Sequence, residues 1–403
     1  MIGASLNQHL SGLVEGMRHE LSGRIEELDG DPLLLELLGA SIEGNVDTIL
    51  HALQHHIEPD RFEPPTAAYE YARRLAQRGV PVNALVRAYR LGQHYLLRRA
   101  FEAGVELLGV DRVARPYALV VDIVFTYIDW ISQRIVGVYE SEREAWLANQ
   151  RNERESRVRG LLAGDLRDLE AAERLLGYRV RGRHVAAVSW LTDAATSDQL
   201  TRSVRALVAL AREMGSTQQP LIVGQDESST WAWIHVPPGY ESSVGLATWA
   251  HDQTPAPAIA LSSVHDGVDG FRQAHEEAVR VQRVALLSGG PRRQILGHDE
   301  PGMALATLLA VDIAAAQDFV CRVLGGLARE DETHERHRTT LLTFLRHECS
   351  YTATADAMTM HKNSIRYRVA MAEKVLGHSV RERRLELEVA LSLAERLGPV
   401  VLR

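Results

Sequence analysis

The chain has 403 residues, 45% of them hydrophobic and 24% charged, with a net charge of −8. That length allows two to four domains each burying its own core, and that composition excludes a disordered or fibrous protein. No apolar run is long enough to span a bilayer, and Met1–Leu10 lacks a basic stretch followed by an apolar one, so no membrane segment or signal peptide is expected and the cytoplasm is the expected compartment.

Residues 1 to about 163 read as helical throughout. Leu33-Leu34-Leu35, Leu37-Leu38, Ile49-Leu50 and Leu53 recur at helical spacing. Pro64-Pro65 opens a helix over 66–78 that stops at Arg78-Gly79, and Val80-Pro81 opens the next. A third long helix, Ala118 to Tyr139, is apolar enough to be buried. It grades into Glu140–Arg159, whose Glu and Arg at (i, i+3) and (i, i+4) spacing predict a solvated connector helix able to pair with its copy in a dimer. The expected divisions are a helical domain over 1–139 and a connector over 140–163.

After Gly164 the pattern alternates. His184–Leu191 reads as a strand, Leu200–Met214 as a helix, Leu221–Val223 and Thr230–Val236 as a hairpin, Ala258–Ser262 as a strand and Val268–Leu287 as a helix. This predicts a small α/β domain over 164–290, closed by Ser288-Gly289-Gly290-Pro291, with a helical linker over 291–334. The two cysteines, Cys321 and Cys349, form no Cys-x-x-Cys pair and read as free thiols in a reducing compartment. The fold class is multidomain and mostly α.

The last division, 335–403, carries 12 Lys and Arg against 8 Asp and Glu, a local charge of +4, whereas positions 1–334 hold 33 against 45, a charge of −12. An acidic body with a basic tail is compatible with local contact to nucleic acid. Ser350 is an N-cap for a short helix ending near Met358, Thr359-Met360 is a tight connection, and His361 begins a second helix. A helix-turn-helix must bury Ala355, Met358, Met360, Ile365 and Val369: the small alanine lets the helices cross, Met360 plugs the turn, and Ala372 and Leu376 continue the inner stripe. With Ile365 at zero and about 100° per residue, Asn363, Tyr367 and Lys374 fall within about 20° of the opposite face. Arg366 and Ala370 flank them on one side, Ser364 and Met371 on the other. Arg and Asn match guanine and adenine edges, while Arg, Lys, Ser and Tyr serve phosphates. The candidate DNA-binding residues are Lys362, Asn363, Ser364, Arg366, Tyr367 and Arg368. Arg368, at the edge of the buried stripe, suits a phosphate better than a base. A solvated amphipathic helix is the alternative for an isolated segment.

The stretch His361-Lys362-Asn363-Ser364-Ile365-Arg366-Tyr367-Arg368-Val369, followed by Glu373, Leu376-Gly377, Leu385-Glu386-Leu387 and Ala390-Leu391, resembles the C-terminal helix-turn-helix of PucR-type (CdaR-like) regulators. The family pattern resembles His-x-Asn-Thr-Val-Arg-Tyr-Arg-Leu, which the resemblance carries onto Asn363, Arg366, Tyr367 and Arg368. Ser364 and Ile365 replace Thr and Val, Glu348-Cys349 stands where the family usually has a Gly pair, and an Asp-Pro usual before the last helix is missing at Arg381-Glu382-Arg383. Arg78-Gly79-Val80-Pro81 with Leu85, Arg87-Ala88-Tyr89-Arg90 and Gly92 is similar to an RsbR-like helical sensor-type domain. Gly182–Ala285, including Asp269-Gly270-Phe271-Arg272, resembles a degenerate GGDEF-like domain.

Other constellations carry less. Gly224-Gln225-Asp226-Glu227-Ser228 lies where a diguanylate cyclase would carry Gly-Gly-Asp-Glu-Phe. Gln225 blocks the close backbone approach such an enzyme needs, and Ser189-Trp190-Leu191 offers no second metal carboxylate. His51, His55 and His56 share one helix without a third-ligand frame and read as surface residues, as do His334 and His337. Tyr89, Tyr95, Phe125, Tyr127 and Trp130 suit core packing, with a ligand pocket as the alternative. No Gly-x-Ser-x-Gly, Walker or dinucleotide fingerprint occurs, so no catalytic residue, metal or cofactor is expected, and the protein is expected not to be an enzyme. The expected function is a transcription regulator that reads double-stranded operator DNA with helix 361–374 as a homodimer, under control of an unidentified small-molecule effector. The alternative is a stress-signalling or scaffold protein acting through protein contacts of its N-terminal domain.

Overall fold

The computed structural model describes the chain apart from residues 26–30, 56, 58–62, 166, 192–198, 227–228, 243, 247–255 and 291–292. His56, Glu227, Ser228 and Pro291 therefore lie outside the described residues. Two compact units are present, Met1–Glu153 and Arg154–Arg403.

The first unit is helical: α1 Ile2–Gln8, α2 Leu10–Ser22, α3 Pro32–His55, α4 Thr66–Arg78, α5 Val82–Leu108, and α6 Ala114–Leu162 as far as Glu153. Pro65 and Pro81 sit at the N-caps of α4 and α5, where a missing N–H costs nothing, and Gly79 closes α4 with φ 73°. Leu38, Leu50, Leu75, Leu85 and Ile131 are buried in one core. Tyr127 is buried with them, while Phe125, a sequence candidate for a pocket, is 63% exposed on the outer face of α6. The Tyr139 hydroxyl donates to the Val80 carbonyl at 2.6 Å, tying α6 to the turn before α5.

The rest of α6 begins the second unit. Its final turns depart from the solvated connector expected over 140–163, because Val158 and Leu161 are buried in the core of this unit. The helical face turns apolar at its C-terminal end, a change that the charged run before Val158 conceals. There follow α7 Leu169–Leu176, β1 Arg183–Trp190, α8 Gln199–Glu213, β2 Leu221–Gly224, β3 Ser229–His235, β4 Ala258–Leu261, β5 His265–Asp266, α9 Gly267–Leu287 and β6 Ile295–Gly297. The strand order is β2-β3-β1-β4-β6, with β5 also on β1; β4 and β6 are parallel and the other pairs antiparallel. Both faces are covered, so β1 is buried along nearly its whole length rather than at alternate positions. Val185, Ala187, Ile234 and Ile259 meet Leu207 and Leu210 of α8. Ala186, Val188 and Trp233 meet Phe271 and Ala274 of α9. Trp233 and Phe271 stack at 4.3 Å and 7°, and the Trp233 indole N–H donates to the Phe271 carbonyl. Gly270 lies against β5: a Cβ there would stand 2.9 Å from that of His265, so this helix–strand approach excludes any side chain.

The stretch 291–334 is not only a helical linker. Ile295–Gly297 completes the sheet, three residues being too few for a periodic signal, and α10 Met303–Leu309 and α11 Ile313–Leu324 place Met303, Ala306, Val320 and Leu324 in the same core. That core continues through α12 Glu332–Arg346, α13 Tyr351–Ala357, α14 Lys362–Leu376 and α15 Arg384–Leu397. Among the described residues no single helix is long and apolar enough to cross a membrane. Cys321 is buried and Cys349 half-buried, both as free thiols.

Candidate nucleic-acid interface

The Ser350 hydroxyl accepts from the Ala353 N–H at 3.3 Å and starts α13. The chain turns at Thr359, φ 52°, where the Met360 N–H donates to the Ala355 carbonyl at 2.9 Å. His361 caps α14, its Nδ1 accepting from the Asn363 N–H at 3.2 Å, and Gly377 ends the helix in the left-handed region with φ 80°, where a Cβ would strain the backbone. Ala355, Ile365, Val369 and Ala372 are buried as the spacing requires. Met358, Met360 and Leu376 are half-buried at the edge of the core rather than inside it. Their long flexible side chains cover the joint from outside, since Ala355 lets α13 and α14 approach too closely to admit them.

Lys362, Asn363, Arg366 and Tyr367 are exposed, Tyr367 by 67%; Ser364 and Arg368 are half-buried. Asn363, Ser364, Tyr367 and Arg368 come together along a concavity that α12 completes with Thr333, Arg336 and His337, while Met360 and Met371 floor it. Arg368 leans toward α12, its Nη1 standing 3.5 Å from Thr340 Oγ1. Arg366 lies on the other flank of α14, its guanidinium 5.5 Å from the centre of the Tyr351 ring, and Lys362 lines neither contact. Burial pulls His337 below its ordinary value first, and His334, Arg368 and Arg336 add to that because they crowd the same surface with positive charge. His334 and His337 are thus half-buried parts of this surface, not the solvent-facing pair of the sequence reading: His334 Nδ1 is 2.6 Å from Asp331 Oδ2, the aspartate that caps α12. Arg336 and His337 had no signal of their own, because which face of α12 meets α14 is decided by packing across the core.

Several arginines near this surface are engaged. Arg346 pairs with Glu395, Arg383 with Glu386, Arg384 with Glu388 and Arg396 with Glu300. Arg338 is buried and donates to the Leu327 and Arg329 carbonyls. By contrast, among the described residues no carboxylate lies within ion-pair distance of Arg336, Lys362, Arg366, Arg368 or Lys374. These five cations, spread over α14 and the adjoining side of α12, are without a carboxylate partner, an arrangement that suits a polyanion.

Elsewhere, Ser189 at the end of β1 is buried with its hydroxyl 3.2 Å from that of Ser203, and the turn after Gly224 is closed by the Gln225 N–H on the Ser229 carbonyl. His51 and His55 lie ring against ring at 4.4 Å, and among the described residues no group of three or more His, Cys, Asp or Glu is arranged to hold a metal.

Three family models match the chain in order: the RsbT co-antagonist protein rsbRD N-terminal domain over residues 11–154, the GGDEF-like domain over 159–284, and the PucR C-terminal helix-turn-helix domain over 337–393. A relative from Thermomonospora curvata, an uncharacterized protein in the pkwA 5′ region, is 36% identical over 121 residues, 30% of this chain; the chain spans 64% of that relative's length. A solved structure, a regulator of polyketide synthase expression from Bifidobacterium adolescentis, matches 60% of this chain and 90% of its own length at 20% identity, with a TM-score of 0.28, too low to inform this fold. An RsbRD-type helical domain, a GGDEF-like domain and a PucR helix-turn-helix follow one another along its length, so this chain has the domain series of PucR-type (CdaR-like) transcriptional regulators.

Proposed function

We propose that this protein is a cytoplasmic homodimer that binds double-stranded operator DNA through α14, under control of a signal received by the helical N-terminal unit. The observation that carries this reading is the uncompensated positive charge of Arg336, Lys362, Arg366, Arg368 and Lys374, near Arg383, Arg384 and Arg396, which are each paired with a carboxylate. In the major groove, Asn363, Ser364, Arg366 and Tyr367 face base edges, with Lys362 at the start of the helix; Arg368 and the α12 cations hold backbone phosphate. One recognition helix reads too few base pairs for useful specificity, so a two-fold dimer reading half-sites about one helical turn apart is the expected assembly. The middle domain transmits rather than catalyses. Ser189, hydrogen-bonded to Ser203 where a cyclase would need a carboxylate, supports that assignment.

The test is a gel shift of the full chain on the DNA upstream of its own gene, repeated over a salt series. Retardation is expected, with an affinity that falls steeply with salt. The double variant Arg366→Ala with Arg368→Ala is expected to weaken binding and flatten that salt dependence. An unchanged affinity and slope in the variant would remove α14 as the reading helix. No retardation of any promoter fragment at low salt would favour a role through protein contacts instead.

A further inference from the structure

The core of the first unit is incompletely filled. Between α2, α3, α4, α5 and α6 it leaves a partly open cavity of about 50 Å³, several times the 10–15 Å³ or so that one water needs. We propose that this cavity binds a small, uncharged, mainly apolar molecule that offers one hydrogen-bonding group to Ser41 and Asn45. Its regulatory role would rest on the sensory reading above; its binding would not.

Three observations converge on this site. First, Ser41 and Asn45 are 6% and 7% exposed on a stripe of α3 whose other members are apolar, and both lie on the cavity wall. They place hydrogen-bonding groups on an otherwise apolar wall, where partners within the core offset the cost of burying them. Asn45 is held ready: its Oδ1 accepts from the Tyr127 hydroxyl at 2.9 Å and its Nδ2 donates to the Ser41 carbonyl at 2.6 Å. Its contact with the Ser41 hydroxyl, at 3.4 Å, is weak enough to yield to a ligand atom.

Second, the space is made by small residues on α5. Ala88 and Gly92, one turn apart, form part of the wall. Glycine is a poor choice inside a helix, yet an added Cβ at Gly92 would meet only the Met17 sulfur at an ordinary 3.4 Å. Steric exclusion therefore does not require glycine here; what its presence provides is room.

Third, among the described residues the wall carries no carboxylate, ammonium or guanidinium. Gln93 and the phenols supply its remaining polarity, and burial keeps the Tyr89 phenol neutral. An ionised ligand would surrender its hydration with nothing to replace it, whereas a neutral ring with a hydroxyl or amide would not.

The experiment uses the full chain without DNA and follows thermal unfolding and calorimetric binding with benzyl alcohol, indole and benzoate at neutral pH. Each neutral probe is expected to raise the first unit's Tm, by about 3 °C at roughly ten times its Kd, and benzoate to leave it unchanged. Ala88→Leu, which fills the cavity, is expected to lose the response. Should that variant fail to fold, Gly92→Ala replaces it, with at least wild-type stability and several-fold weaker binding expected. No shift with either neutral probe, an equal shift with benzoate, or a shift that survives the filling variant would each overturn the proposal. Because no DNA enters the measurement, its failure leaves the gel-shift result standing, and the converse also holds.

Discussion

Glu348 and Cys349 follow the last residue of α12 with φ of 53° and 61°, in the left-handed region. The backbone demands it: the Glu348 N–H donates to the Leu345 carbonyl at 3.1 Å and the Cys349 N–H to the Phe344 carbonyl at 2.9 Å, closing a helix C-terminus that reverses the chain into α13. Members of the family usually place a Gly pair here, and the geometry explains why, since each Cβ in this region costs about 1 kcal/mol. Glu348→Gly is therefore expected to raise the unfolding free energy of the second unit by about 1 kcal/mol, less a fraction for the added freedom of the unfolded chain. Cys349→Gly should gain less, because its half-buried side chain packs on the core. Urea unfolding would decide it, and a loss of stability in Glu348→Gly would show that the strain is not there. Arg336 offers a second residue-level prediction. In the proposed complex its place on α12 would set it against phosphate rather than a base, so Arg336→Ala should weaken every duplex alike and reduce the salt slope by about 1. Asn363→Ala should weaken only the operator. Titrations on operator and scrambled DNA separate the two, and a loss for Arg336→Ala confined to the operator would contradict the phosphate role.

At the scale of elements, acid sensitivity is concentrated on β1 and α9. His184 is fully buried between Tyr178 and Phe271, and burial first, then the neighbouring His265, holds it down to about 4. His275, against Trp231 and Trp233, is also held down to about 4 by burial. Folded values below the ordinary 6.5 mean that the fold favours the neutral ring. The stabilisation is therefore complete above pH 6.5 and is lost as pH falls toward 4. At pH 5 the loss is about 2 kcal/mol for the fully buried His184 and less for the half-buried His275. His184→Phe, which suits the aromatic surroundings, should remove more than half of the excess acid destabilisation that the two histidines cause between pH 7.5 and pH 5. An identical pH dependence in the variant would place the sensitivity elsewhere. These elements also show what was legible in the sequence. β1 and the β2–β3 hairpin were readable from apolar runs around polar turns, and α4 and α5 from proline before and glycine after. The buried stripe of α14 was readable because Ile365, Val369 and Ala372 repeat at helical spacing. β6 was not, for three residues have no period, nor was the burial of Val158 and Leu161 at the end of a charged helix. The α12 contribution to the candidate interface depends on contacts between elements that spacing along one helix does not encode.

For the molecule as a whole, the decisive fact is that its cores are separate while its backbone is continuous. Leu75 and Leu85 belong to a core made only by residues of the first unit, and Leu341, Ile365 and Leu387 to one made only by residues of the second, although α6 supplies both units without a break. Hydrophobic burial is the largest favourable term in folding, so each unit should unfold as its own cooperative transition. Calorimetry of the full chain is expected to show two transitions. Leu75→Ala removes a fully buried side chain from the first core and should cost about 2–5 kcal/mol. It should lower one transition and leave the other in place, and Leu341→Ala should do the reverse. If instead both transitions moved together in either variant, the continuous helix would be acting as a structural strut, making the two units one cooperative body. Separate transitions carry a consequence for control: a ligand that binds only the first unit stabilises only that unit directly. Any influence on DNA affinity would then need a differential effect on a state shared with the second unit. Because α6 contributes to both cores, comparing operator affinity in wild type and in a variant with a glycine pair at Asn149 and Gln150 tests whether it carries that influence. The variant should keep its DNA affinity and lose the effect of any ligand bound to the first unit; an effect undiminished by the glycines would exclude α6 as the route.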